Sequence, residues 1–285
     1  MSGDGWFAGT QDERLERIRH GSAAKPANWP TLAVESASDI EDETTYYDRL
    51  HEATVSATRA AVQTRERADD NQLIHAIRSL EDCRRTANEL AERLSEWGGT
   101  VDPEAGAGID YAKQLVEEPP ADGPEPMLSL AGRVVDLAHQ AEELEAYVER
   151  QAPVVAPNLS ALAGPVLAAR LLSLAGSLES LAKKPSGTVQ VLGAEEALFA
   201  HLRGHAPSPK HGIIFTHEAV RGTRLEDRGS AARALAGKLA IAARVDHYSG
   251  EYRPELEAEF EERMATIRAR ADDVDEETEG GDSRV

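Results

Sequence analysis

The sequence predicts an all-α protein, and three observations carry that expectation. Aromatic residues make up only 5% of the 285 while Ala and Leu abound, Tyr46 to Trp97 contains neither proline nor glycine, and apolar residues recur there at spacings of three and four. Ala and Leu are good helix formers, whereas sheet cores draw on β-branched and aromatic side chains. The apolar fraction of 41% suffices for a core, and the length accommodates two modest domains.

Taken in order, residues 1–45 show no sustained period. Trp6, Phe7, Trp29 and Pro30 are scattered among charges, Gly and Ser, and Asp39 to Glu43 is acidic. This is expected to be a weakly ordered N-terminal arm or a small appendage, with Trp6 or Trp29 packed on a neighbouring helix.

Residues 46–151 read as a coiled-coil domain. Leu73, Ile77, Leu80, Cys83, Ala87, Leu90, Leu94 and Trp97 form one seam, predicting a single helix from Tyr46 to Trp97 that Gly98 and Gly99 end. At about 1.5 Å per residue it would reach nearly 80 Å. A second seam, Leu130, Val134, Leu137, Ala141, Leu144 and Val148, repeats by four and three over 126–150. The Gly- and Pro-rich connector between them carries one short helix around Tyr111 to Glu117, so the long helices fold back as an antiparallel pair. Because the second covers half of the first, a face is left for a partner, and a second copy of the chain is the simplest one. An elongated monomeric hairpin is the competing reading.

Residues 152–250 change character. Pro153 and Pro157 open the segment and Gly recurs every ten or so residues, which predicts a compact domain of several short helices. A charged helix, Pro254 to Ala271, follows within 251–271, and 272–285 is an acidic tail with too little apolar surface to fold.

The formal charge is −20, from 31 basic and 51 acidic residues. An acidic surface repels phosphate. The charge is unevenly placed, however: residues 157–250 hold 11 Lys or Arg against 7 Asp or Glu, a net of +4, while the rest holds 20 against 44, a net of −24. Only 6 of the 31 basic residues are lysines, the composition of a protein kept soluble in concentrated salt, and a haloarchaeal host is expected. At about 1 M salt the Debye length is roughly 3 Å, so recognition there must use contacts at hydrogen-bond range.

The lone Cys83 lies on the apolar seam and reads as a core residue. The most apolar stretch, Ala161 to Gly176, is interrupted by Arg170, and Met1 to Asp12 lacks the apolar core of a signal peptide. The expectation is a cytoplasmic protein without a membrane partner. No Walker sequence, dinucleotide fingerprint or Cys/His finger spacing is present. His201 and His205 lie four apart but lack a third ligand at metal-site spacing, so neither a metal, a cofactor nor a catalytic residue is expected and the chain reads as a non-enzyme. Arg221, Arg224, Arg228 and Arg233, with Lys210 before them and Lys238 and Arg244 after, form the densest basic run, and arginine's fork of donors suits phosphate oxygens.

A long ordered series of segments then points to a family: APNLSALAG at 156–164, LAGSLESLAKKP at 174–185, TVQVLGAEEALFAHLRG at 188–204, SPKHGIIF at 208–215 and RGSAARALAGKLAIAARVD at 228–246. These resemble the Nop domain of box C/D ribonucleoprotein scaffolds. The upstream run RERADDNQLIHAIRSLEDCRRTANELAERLSEW is similar to the family's coiled-coil segment. About 200 residues are covered, and the archaeal, Nop56/Nop58-like version fits best.

The resemblance implies that the Nop domain binds a composite surface of a kink-turn in a box C/D guide RNA and the ribosomal-type kink-turn-binding protein on it. The coiled coil would join two scaffold copies. The methyltransferase fibrillarin, which itself holds the S-adenosylmethionine, would dock on the N-terminal region, or on the coiled coil given the shortened front, for 2′-O-methylation of ribosomal or transfer RNA. By the same resemblance Gly193, Ala194, Glu195 and Glu196 form the signature contact turn, with Leu198 and Phe199 anchoring its helix from inside. Lys210, Arg224, Arg228 and Arg233 would meet the RNA backbone, with Arg203 and Gln190 as further candidates. The chain departs from the family at Glu196, where lysine is usual, at Ser230, where a basic residue is frequent, and in its much shortened N-terminal domain. Those charge losses keep a second reading open: a coiled-coil adaptor whose Nop-like domain binds protein only.

Overall fold

A computed structural model describes residues 5–23 and 25–279, with side chains as far as 269. Every regular element among them is helical. The chain forms two compact units, residues 1–68 and 69–285.

Of the two expectations for the front of the chain, the first unit fits the small appendage and not the weakly ordered arm. Helices α1 (Gln11–His20), α2 (Trp29–Ser36) and α3 (Glu43–Glu66) enclose a small core of Phe7, Ala33, Ala37, Ile40 and Tyr46, against which Trp6, Trp29 and Leu50 pack. Trp6 Nε1–H donates to the Tyr46 hydroxyl at 3.1 Å. Local signals set the ends: Thr10 and Glu13 form a reciprocal capping box on α1, and Asp42 caps α3 through the Thr45 N–H. Arg14 reaches Asp39 through two hydrogen bonds, 2.6 and 3.0 Å. This holds the Asp39 carboxyl below its ordinary range.

The single helix expected from Tyr46 to Trp97 is instead two. α3 ends at Glu66, and α4 runs from Asp69 to Val101. The Arg67 N–H is drawn to both the Gln63 and Arg65 carbonyls and the Ala68 N–H to Arg65, a tightened last turn, while Asp69 and Asp70 open α4 with the negative charge that a helix N-terminus favours. Gly98 and Gly99 lie inside α4 and do not end it. Gly98 is buried beneath Tyr111, where a Cβ would sit 2.3 Å from the hydroxyl oxygen.

In the second unit, α4 packs antiparallel on α6 (Glu125–Val155), as the two seams imply. Leu73, Ile77 and Leu80 share a core with Ala141, Val148 and Ala152, while Ala91 and Leu94 share one with Met127, Ala131 and Val134. The connector's short helix, α5 (Gly108–Glu117), adds Tyr111, Ala112 and Leu115 to the second cluster. The centre of the seam is narrower than expected. Leu90, Leu130, Leu137 and Leu144 are half-buried, and alanines 87, 91, 131 and 141 occupy the buried line, allowing close approach of the helices. Cys83 is half-buried against this core.

α6 continues through Pro153 to Val155, past the expected boundary, and the exposed Pro153 sits in its last turn. Then follow α7 (Pro157–Ala163), α8 (Pro165–Ala175), α9 (Leu178–Lys183), α10 (Ser186–Val191), α11 (Glu195–Leu202), a 3-10 turn (Ile213–Thr216), α12 (Glu218–Arg221), α13 (Arg228–Tyr248) and α14 (Glu255–Glu279). α13 is the hub. Its Ala231, Ala232, Leu235, Ala236, Leu239, Ala240, Ala242 and Ala243 are all buried, small side chains that let α7, α9, α10, α12 and α14 close around it.

Asp246 fixes the far end of α13. Its carboxylate accepts the Asn158 N–H (3.0 Å), the Asn158 Nδ2 (2.6 Å) and the Leu159 N–H (2.8 Å), capping α7 from another element. α14 extends to Glu279, beyond the expected Ala271, and is more than a charged helix: Leu256, Phe260, Met264 and Ile267 are buried in the main core. The acidic tail expected from 272 is therefore helical to Glu279, and its remainder lies outside the described residues. No single helix among them is long and apolar enough to cross a membrane, and the apolar α7–α8 pair is bent by 117° and contributes its side chains to the core.

Candidate nucleic-acid interface

The residues expected at the site divide into three groups. Gln190, Lys210 and Arg233 line one groove of about 490 Å³, with Gly187, Val191, Ser208, Pro209, Gly229 and Ser230. Glu226 is the single acidic lining residue. The groove lies between α10 and the start of α13, and the loop bearing Lys210 is tied to α10 at three points. Gln190 Nε2 donates to the Lys210 carbonyl (2.7 Å), the Gly212 N–H to Gln190 O (2.8 Å), and the Ile213 N–H to Leu192 O (2.8 Å). Gly212 is required by space, since a Cβ there would stand 2.1 Å from Leu192 O. The Lys210 stem passes Gly229, and Arg233 is exposed one turn further along α13. Ser230 adds an uncharged side chain to the lining.

Arg228 and Arg224, expected with Arg233 at the RNA backbone, are half-buried and engaged within the protein. Arg228 Nε donates to the Thr223 carbonyl at 3.1 Å, and its guanidinium lies 5.4 Å from the Phe215 ring centroid. His211 stacks on the same ring at 4.5 Å, and burial, with the positive charges of Arg228 and Lys210, keeps its imidazole below the ordinary pKa. Arg224 is half-buried with a nitrogen 3.6 Å from Asp227, at the start of α13. Arg228 supports the loop that precedes α13 and is a positioning residue. The rest of the basic run is also partly structural: Lys238 pairs with Glu259, and Arg244 donates to the Ala182 and Lys184 carbonyls.

The third group is α11. Gly193 has φ +83°, a conformation glycine favours, and its N–H donates to the Glu195 carboxylate at 2.9 Å. With Glu195 and Glu196 in its first turn, this helix N-terminus supplies its own anion instead of an open phosphate site. Ala194 is half-buried and Arg203 exposed. Leu198 is half-buried, but Phe199 does not anchor the helix from inside: it is 57% exposed, and Leu202 is 70% exposed. No residue of α11 is fully buried, because α13 and α7–α9 already close the core. His201 Nδ1 lies 3.0 Å from the Ala206 carbonyl, a bond that closes the following loop. No group of three metal-ligating side chains is assembled among the described residues.

Sequence reasoning missed His217. Its Nε2 is 3.0 Å from the Leu162 carbonyl and its Nδ1 accepts the Ala219 N–H at 3.1 Å, so the ring is the neutral Nε2–H tautomer that caps α12 and joins it to α7. Burial lowers its pKa. An N-cap is usually Ser, Thr, Asp or Asn, and nothing in the local spacing marks a histidine for the role.

Comparison with known proteins places these features. The family model described as Nop, snoRNA binding domain, fibrillarin, matches residues 117–266. A NOP5 family protein of Methanocaldococcus jannaschii, itself uncharacterized, is 34% identical over 258 residues, covering 77% of this chain and 62% of its own length. Nucleolar protein 58 of Scheffersomyces stipitis is 32% identical, covering 70% of this chain and 48% of its own length. Nucleolar protein 56 of Dictyostelium discoideum reaches 44% identity over 123 residues, 43% of this chain and 23% of its own. The chain thus spans 62% or less of the length of these relatives. Among solved structures, a chain from a fibrillarin/Nop5p complex has the same fold, with a TM-score of 0.55, 24% identity, and coverage of 92% of this chain and 98% of that one.

Proposed function

The chain belongs to the Nop-domain family, and from that premise we propose that it is the RNA-binding scaffold subunit of an archaeal box C/D guide ribonucleoprotein. It makes no covalent change itself and positions fibrillarin, with its S-adenosylmethionine, for RNA-guided 2′-O-methylation. The observation that carries this reading is the groove lined by Lys210 and Arg233, two exposed cations of a locally basic segment. Guanidinium and ammonium groups in a groove suit backbone phosphates at short range.

The site divides by chemistry. The groove takes the kink-turn RNA, and α11, with Phe199 and Leu202 exposed beside two carboxylates, takes the kink-turn-binding protein. An apolar face flanked by acidic groups fits a basic, RNA-bound protein better than phosphate. That same face is what favours the second reading, an adaptor that binds protein only.

Self-association is supported by Trp97, Val101 and Val116, exposed apolar residues of α4 and α5 at one end of the hairpin. For fibrillarin, the helical unit of residues 1–68 offers a folded docking surface instead of a disordered arm. A cytoplasmic location in a haloarchaeal cell fits the lysine-poor, acidic composition.

Reconstituted methylation tests the proposal. With guide RNA, the kink-turn-binding protein, fibrillarin and S-adenosylmethionine present, methyl transfer to a complementary target should require this chain. Transfer at the same rate without it would overturn the scaffold reading.

A further inference from the structure

One basic and aromatic corner lies outside the groove. Along α13, Arg233, Gly237, Ile241, Arg244 and Tyr248 follow at spacings of four, four, three and four, which places them on one face of the helix. That face is open at both ends: Arg233 is exposed, and Tyr248 is 71% exposed. At the Tyr248 end, Arg244 Nε donates to the Ala182 carbonyl at 3.1 Å and its Nη2 to the Lys184 carbonyl at 3.2 Å. These bonds draw the end of α9 onto α13 and set Lys183 and Lys184 beside it.

The Lys183 side chain is 61% exposed and paired at 2.5 Å with Glu179, an exposed partner whose hold is weak in solvent. Tyr248 meets the His247 ring edge-on at 4.6 Å. No core contact explains so exposed a tyrosine at the end of the domain's central helix. Two lysines next to an open aromatic ring combine phosphate attraction with a stacking platform, the pairing that single-stranded nucleic acid uses.

We propose that this corner is a second RNA contact, in which Tyr248 stacks on a base and Lys183 and Lys184 hold the flanking phosphates. The inference rests on the RNA-binding reading of the groove. Fifteen residues of α13 separate Arg233 from Tyr248, roughly 22 Å at about 1.5 Å per residue. At about 3.4 Å of rise per base step, that is roughly six steps of one strand. A segment of six or seven nucleotides leaving the groove along α13 would therefore reach the corner. Stacking carries more of the contact than charge does, because Glu179 pairs with Lys183 on the same surface.

The test is guide-RNA binding, read by fluorescence anisotropy at several KCl concentrations, with the full chain and the kink-turn-binding protein present. Tyr248→Ala should weaken binding about tenfold and Tyr248→Phe by less than twofold, since the ring supplies the stacking. Lys183→Gln with Lys184→Gln should lower the salt slope by between about 1 and 2. Shortening the RNA by seven nucleotides on the side that runs along α13 should weaken the wild type and leave Tyr248→Ala unchanged. If the wild type binds RNA and Tyr248→Ala and the double lysine variant bind equally well, the corner is not a contact and the groove reading stands. If the wild type binds no RNA, the underlying reading fails and this inference fails with it.

Discussion

Gln190 holds Lys210 in place: the Gln190 Nε2 donates to the Lys210 backbone carbonyl at 2.7 Å, bridging α10 to the loop across twenty residues. In the proposed reading the glutamine acts on RNA through the lysine. Gln190→Ala should cost about 1 kcal/mol of stability, and weaken RNA binding about as much as Lys210→Ala does. If Lys210→Ala weakens binding and Gln190→Ala leaves it unchanged, the bond has no positioning role.

Arg233 and Arg228 should separate contact from support. Arg233 is exposed and lines the groove, so Arg233→Glu should leave the unfolding free energy within about 0.5 kcal/mol and weaken RNA binding at least tenfold. Arg228 bonds a carbonyl and covers Phe215, so Arg228→Ala should lower stability by about 1–2 kcal/mol. Denaturant unfolding and anisotropy on the same samples check both.

Phe199 and Leu202 are exposed on α11. Replacing both with Ala should leave stability unchanged and abolish the extra affinity that the kink-turn-binding protein confers on RNA binding. Isothermal titration of the two proteins in the presence of RNA reads this directly.

His217 makes the second unit sensitive to pH. Its pKa in the fold is lowered by burial, so the unfolded chain takes up the proton first, near the ordinary value of about 6.5. The stabilising contribution is complete above that value and is lost as pH falls through the folded pKa. Between pH 7.5 and 5.5 the wild type should lose stability relative to His217→Gln, whose amide donates to Leu162 O without titrating. Parallel slopes for the two proteins would show that the ring does not titrate as stated.

Gly212 tests the geometry of the loop. A Cβ there would collide with Leu192 O and the Val191 carbonyl carbon, both backbone atoms. Gly212→Ala should cost about 2 kcal/mol or more, and displace Lys210. Unchanged unfolding and RNA binding would mean the loop tolerates the side chain.

The long-range seams were legible because a period of three and four over 25 residues or more has one helical interpretation, and α4 and α6 follow it. The break at Arg67–Ala68 was not, since no proline or glycine marks it and it rests on turn hydrogen bonds and the Asp69–Asp70 pair. The first unit was hidden for another reason: helices of eight and ten residues show too few turns for a period, and Phe7, Ile40 and Tyr46 meet only in three dimensions. At the site, the resemblance identified the segments that build the groove. It could not distinguish Arg233, which faces outward, from Arg228, which faces Phe215, because both lie in one run of arginines. Asp246 and His217 carry no spacing signal at all, since each acts as a cap on an element remote in sequence or of a type that sequence patterns rarely assign to it.

The central claim is composite recognition of RNA through the groove and α11, and a gel shift in molar KCl tests it most directly. A box C/D guide RNA is titrated with this chain, with and without the kink-turn-binding protein, beside the Arg233→Glu variant. A supershift that needs the partner protein and disappears in the variant is the result expected. An absence of any shift with the partner present, or a shift indifferent to Arg233, would contradict it.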